Sequence, residues 1–199
     1  MAALLPVLPG QETDQASVMA WGFDPEAMAV DPYRGAYNGV VTSLAKLVAA
    51  GADYRRAYLT LQEFFEKLRE DPARWGKPFA ALLGALDAPP TLISFAIAPI
   101  RAGEVLSPEF KEAGHPVYLF APANGGAQSQ REAWETFHQL CRAGRVCSAW
   151  AVEHGIAEGI MQMSFGNSIG FQAEGREIAW DLPCPGAIVA ELTEDTDLL

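Results

Sequence analysis

Thr42 and Lys46 stand one helical turn apart in the stretch DPYRGAYNGVVTSLAKLVAAGADY, residues 31–54. Their i, i+4 spacing puts a hydroxyl and an ammonium on one helical face. Val40, Val41, Leu44, Leu47 and Val48 mark the opposite, apolar face. An ammonium is a compact point charge suited to an anion such as phosphate. A hard metal ion would call for oxygen ligands, and this face carries no carboxylate.

The other reactive side chains form no known constellation. Cys141, Cys147 and Cys184 are odd in number and lack Cys-x-x-Cys spacing, so neither a disulfide framework nor a zinc site is expected. His115, His138 and His154 have no metal-pair spacing on one helix and read as isolated structural or surface residues. The chain has no Gly-x-Gly-x-x-Gly, no phosphate-loop motif and no Gly-x-Ser-x-Gly elbow. Gly76-Lys77 runs into Pro78, and Ser164-Phe165-Gly166 lies at a helix end, where a serine caps. Glu63, Glu66 and Glu70, with Lys67 and Arg69, read as a solvated helical face with local ion pairs. The five tryptophans read as core.

The elements that position these residues follow from periodicity and punctuation. Residues 1–30 are broken by Pro and Gly and predict an extended piece around ASVMAWGF. Asp31-Pro32 opens the helix of Thr42 and Lys46, and Gly51 closes it. LQEFFEKLRE predicts a second helix, Asp71-Pro72 a short third, and PFAALLGALDA a buried fourth. Beyond Pro89-Pro90, TLISFAIAPI reads as a buried strand. HPVYLFAP is a strand, Asn124-Gly125-Gly126 a turn, and Ser129 with Glu132 has capping-box spacing ahead of a helix that Gly144 closes. VCSAWAV, SIGFQ and PGAIVAEL predict strands, GIAEGIMQMSF a helix, and the acidic tail from Glu191 frayed chain. The fold class is α/β (α+β), with a boundary near 102–108 that separates residues 1–104 from 105–199.

The 199 residues are half hydrophobic and one-fifth charged, which is ordinary for a globular chain with a real core. A net charge of −11 argues against a nucleic-acid surface, because neutralising phosphates takes clustered Lys and Arg. No stretch approaches the apolar length of a membrane span, and MAALLPVLPG lacks the basic start of a signal peptide. Reduced thiols fit a cytoplasmic protein. Composition and spacing reach no further than that.

A resemblance reaches further. TDQASVMAWGFDPEAMAVDPYRGAYNGVVTSLAKLVAAGADY is similar to the segment of phosphoribosylformylglycinamidine synthases that reads Thr-Asp, then Asp-Pro-Tyr-x-Gly, then a helix. LQEFFEKL, DPARWGKPFAALLGALDA, PPTLISFAIAP, SPEFKEAGHPVYLFAP and GIAEGIMQMSFGNSIGFQ agree with it in order. The resemblance implies the second half of a long single-chain synthase: a partial N-type and a complete C-type domain of the aminoimidazole ribonucleotide synthetase kind. Such enzymes make formylglycinamidine ribonucleotide with ATP, Mg²⁺ and ammonia from glutamine. The half with the catalytic histidine and the glutaminase domain are not in this sequence. The implied partner is that catalytic half, or a second copy of this chain.

The resemblance also implies site residues. Asp31, Tyr33, Gly35, Lys46 and Gly155 fall at nucleotide-binding positions. Of four metal-ligand positions only Asp14 keeps a carboxylate, because Thr42, Lys46 and Trp150 fill the others. Lys46 would then substitute for metal charge, in a pocket that is structural or takes phosphate without Mg²⁺. Alternatively, Thr42 and Lys46 face solvent or a partner half. The family's Gly-Lys-Asp-Ser-Met loop is missing between Ala88 and Pro89, and His154 stands where a glycine precedes a phosphate-receiving helix. No residue of this chain is expected to act as acid, base or nucleophile.

Overall fold

Alternation in QASVMAWG places Ala16, Val18, Ala20 and Gly22 on one face of a strand, and that face is buried in the structure. The structure, a computed structural model, describes residues 2–4, 10–87, 93–124, 126–173 and 178–196. The Ala88–Pro89 junction lies outside them.

Four strands form the first sheet: β1 (Ala2–Leu4), β2 (Gln15–Gly22), β3 (Tyr58–Gln62) and β4 (Ile93–Arg101), in the order β1-β2-β4-β3, all antiparallel. The second has β5 (Val117–Phe120), β6 (Val146–Ala151) and β7 (Ile188–Leu192), in the order β5-β7-β6, again antiparallel. The architecture is therefore mixed α+β, and the expected strand–helix alternation of the second half does not produce a parallel layer.

Between the sheets runs α2 (Pro32–Ala49). The Asp31 carboxylate accepts the Arg34 N–H at 3.1 Å, Pro32 begins the helix, and the Gly51 N–H returns to the Val48 carbonyl at 2.8 Å. Val18, Ala20 and Ala98 of the first sheet and Phe137, Ile188 and Leu192 of the second half join α2 in one apolar core. The helix is buried almost all round, so the expected solvent face of Thr42 and Lys46 does not exist: Thr42 is 9% exposed. A helix packed from both sides has no free face, whatever its pattern suggests.

Several expectations are corrected. LQEFFEKLRE is not helical. Leu61 and Gln62 pair with Ser94 and Ile93 in β3, and residues 63–71 are irregular, with Arg69 at φ +48°. Sheet pairing overrides a helical pattern here, and Glu66 pairs with Lys77 and Arg74 across the connection instead. The expected third and fourth helices are one, α3 (Pro72–Asp87), continuous through Pro78. A helix α1 (Pro25–Val30) follows β2, started by Asp24, whose carboxylate accepts the Ala27 N–H. Helix α4 (Ala127–Arg142) starts at Gly126. Ser129 lies inside its first turn and accepts the Ala123 N–H at 2.6 Å, so it ties down the preceding loop rather than forming a capping box. SIGFQ forms no strand. Helix α5 (Ile156–Phe165) is as expected, and Ser164 donates to the Ile160 carbonyl. Of the tryptophans, Trp134 is buried but Trp21 and Trp75 are exposed. No helix among the described residues is long and apolar enough to cross a membrane.

The tail is the largest departure. Glu191 lies in β7, 1% exposed, and not in frayed chain. Its carboxylate accepts the N–H of Lys111 (2.7 Å) and of Glu112 (2.9 Å) and the Ser148 hydroxyl (2.7 Å), and it lies 2.9 Å from His115 Nδ1. Burial pushes its pKa up, but these donors outweigh burial and hold the carboxyl below its ordinary range. A buried carboxylate thus pins residues 111–115 onto the second sheet. Farther on, Tyr118 and Arg145 hold Asp195 and Thr196.

Candidate functional site

Lys46 comes from the last turn of α2, Trp21 from the end of β2, and Glu153 from the connection between β6 and α5. The Lys46 ammonium lies 2.8 Å from Glu153 Oε1 and donates to the Trp21 carbonyl at 3.0 Å. It also sits 4.8 Å from the centre of the Trp21 ring, within cation–π range. Beneath it the Ser43 hydroxyl lies 2.7 Å from Ser94 Oγ and 2.9 Å from the Val40 carbonyl oxygen. The sequence showed the lysine but not the carboxylate. Glu153 is 107 positions away, and only the packing of α2 on the second half brings it in.

The remaining expected site residues are dispersed. Asp14 sits at the far end of the eight-residue β2, roughly 20 Å from Trp21 at the rise of an extended strand. It is exposed and paired with Arg101 at 3.0 Å, at the rim of a cavity of about 540 Å³ that also reaches Arg56, Glu104 and His138. Trp150 packs in the apolar cluster of α5 and β7, against Gly159. The four expected metal-ligand positions therefore do not converge. At Lys46 an ammonium is already matched to a carboxylate and a carbonyl, so the residues present do not fit a Mg²⁺ ion.

Asp31 and Tyr33 line a cavity of about 600 Å³ between the start of α2 and the start of α4, with Tyr37, Asn38 and Gln130. Gly35 is buried beside α1, and a Cβ there would come within 2.4 Å of the Met28 nitrogen. Its role in this structure is close helix packing. Gly155 is also buried, with the Trp180 carbonyl oxygen 2.8 Å from where a Cβ would stand. That carbonyl accepts the Ala157 N–H at 3.1 Å, and the Glu158 carboxylate accepts the His154 N–H at 3.2 Å. The start of α5, the expected phosphate seat, is thus served by the protein's own acceptors, one of them negatively charged.

No family model and no curated protein sequence matches the chain. Solved structures do. Thermotoga maritima PurL complexed with ATP aligns with a TM-score of 0.59 at 11% identity, over 89% of this chain and 36% of that one. PurLQS from the same organism gives 0.60 at 14%, with the same coverage. Thiamine-monophosphate kinase from Stenotrophomonas maltophilia K279a gives 0.50 at 13%, over 92% of this chain and 76% of that one. The chain shares their synthetase-like fold and spans about a third of the PurL chains. Identities this low establish fold, not activity.

Proposed function

We propose that the chain is the second synthetase-like half of a phosphoribosylformylglycinamidine synthase, and that it contributes structure rather than chemistry. One observation carries the reading: the stretches that resemble that family, in order, lie along a fold that aligns with PurL over 89% of the chain. The non-catalytic role rests on Lys46, whose ammonium supplies internally, to Glu153 and the Trp21 carbonyl, the charge a cation would have supplied. In this reading the chain turns over no ATP by itself. ATP, Mg²⁺ and glutamine-derived ammonia are handled by the catalytic half, in the cytoplasm.

The outer face of the first sheet is where that half would dock. Met19, Ile97 and Tyr58 form one cross-strand row and Trp21, Phe95 and Thr60 the next, on the face opposite the buried Val18, Ala20, Ala96 and Ala98; at the end of β2 the Trp21 ring also reaches Lys46 of α2. Met19, Trp21, Phe95 and Tyr58 are all exposed, an apolar patch of the kind that marks an interface.

The test is co-expression with the catalytic half of a long bacterial synthase. Co-purification, with ATP- and ammonia-dependent product formation that neither part gives alone, is the expected result. A chain that stays separate and self-associates would instead favour a stand-alone, non-catalytic module. A soluble monomer indifferent to the catalytic half would overturn both.

A further inference from the structure

Three donor groups converge beneath residues 111–115, from one connection and two strands. His115 Nδ1 lies 2.9 Å from Glu191 Oε1 and 3.7 Å from Cys147 Sγ, and one donor atom from each residue falls within 4.8 Å of the other two. A ring nitrogen makes a single hydrogen bond, yet a thiol and a carboxylate both approach this one. The arrangement is not a nucleophile–base–acid relay, which would need the two partners on opposite ring nitrogens. Both are on Nδ1. The far nitrogen, Nε2, instead faces the Glu112 carboxylate at 3.6 Å.

We propose that His115 Nδ1, Cys147 Sγ and a Glu191 carboxylate oxygen form a site for a divalent ion of the Zn²⁺ or Co²⁺ kind. The donor set mixes nitrogen, sulfur and oxygen, as borderline ions prefer. Zinc bonds of about 2.3 Å to sulfur and about 2.0 Å to nitrogen at a tetrahedral angle put the two donors about 3.5 Å apart, close to the 3.7 Å found. The nitrogen–oxygen pair must open from its hydrogen-bonded 2.9 Å to about 3.3 Å.

The proton balance is simple. Binding through Nδ1 needs the imidazole as the tautomer with its ring proton on Nε2, which points toward the Glu112 carboxylate. The Glu191 oxygen facing Nδ1 is then free to bind the ion, while the Lys111, Glu112 and Ser148 donors stay in place. Cys147 releases its thiol proton to solvent. Thiolate and carboxylate then neutralise the two charges of the ion. Glu112 becomes the acceptor that orients the ligating imidazole, a common arrangement around histidine-bound metals.

His115 and Glu191 also line a cavity of about 720 Å³, whose wall continues through Pro116, Val117, Ile169 and Phe171. This gives the ion an entry path and room for a fourth, water ligand. The site is separate from Lys46 and from the proposed docking face, and it does not depend on the proposed synthase role.

Cobalt titration of the chelator-treated full chain tests it. The expected result is one Co²⁺ per chain with a thiolate-to-cobalt charge-transfer band, displaced by Zn²⁺. The band disappears in Cys147→Ser, affinity falls at least tenfold in His115→Gln, and Cys141→Ser and Cys184→Ser keep both. Absence of the band in the unmodified chain overturns the proposal, as does a band that survives Cys147→Ser. Far-UV circular dichroism confirms that each variant is folded.

Discussion

Lys46 and Glu153 meet at 2.8 Å although one belongs to the helix at the centre of the first half and the other to a connection of the second. Their side chains are 17% and 26% exposed, so the pair lies between surface and interior. Exposed ion pairs contribute about 0–1 kcal/mol, and breaking a fully buried one costs about 3–5 kcal/mol. Lys46→Met and Glu153→Gln should each lower stability by about 1–3 kcal/mol, and the double variant by clearly less than their sum. Urea midpoints in a double-mutant cycle measure this. Additive losses would mean that the two residues act separately.

The same pair predicts what a carboxylate at position 46 would do. Lys46→Glu sets a second carboxylate beside Glu153, with the Trp21 carbonyl nearby as a third oxygen donor. Two like charges at this distance repel, and hard oxygens attract Mg²⁺ or Ca²⁺. The variant should melt below the unmodified chain in chelator and recover with millimolar Mg²⁺, while the unmodified chain does not respond to the ion. A variant equally unstable with and without Mg²⁺ would remove the view that Lys46 occupies a cation's place.

How far the sequence carried these conclusions differed between residues. The helix of residues 32–49 was plain from Asp31-Pro32, the apolar spacing and Gly51, because all three signals are local. Its burial on nearly every side was not, since that depends on the second half packing over it. Residues 61–70 misled because Leu61, Phe64, Phe65 and Leu68 fit a helix, while the backbone of Leu61 and Gln62 was taken by β4. Asp24-Pro25 carries the start signal of α1 as clearly as Asp31-Pro32 does for α2, within a stretch whose Pro and Gly content predicts extended chain. For Glu191 the signal was a lone charge in an apolar strand, AIVAEL, which cannot be buried without partners. Those partners, at positions 111–115 and 148, could not be named from spacing.

That carboxylate has a pH signature. The Glu191 pKa is lowered in the folded chain, by its donors against the opposing effect of burial. The folded state therefore binds fewer protons at this group than the unfolded state. The stabilisation is complete above the unfolded value of about 4.5 and is lost as pH falls through the lower, folded value. Glu191→Gln should flatten the loss of stability below that pH. At neutral pH it should cost about 3 kcal/mol, because an amide has one acceptor oxygen for donors that surround two. Chemical denaturation at a series of pH values reads both effects. A variant with an unchanged acid limb would assign that limb to other carboxylates.

Phe95 tests the docking face. It is at the centre of the outer surface, flanked by Trp21 on β2 and Thr60 on β3, and 42% exposed. Its neighbours along β4, Ser94 and Ala96, point the other way and are buried, so a change at Phe95 leaves the core untouched. Phe95→Glu should cost less than about 1 kcal/mol of stability. Yet it sets a charge in the middle of an apolar contact, where an unpaired carboxylate costs several kcal/mol on desolvation. Co-purification with a catalytic half should therefore fall at least tenfold in Phe95→Glu, as should any self-association seen by light scattering. The exposed Arg69→Glu, in the irregular connection after β3, should leave both unchanged. If Phe95→Glu pairs as well as the unmodified chain, the first sheet is not the surface through which this protein meets its partner.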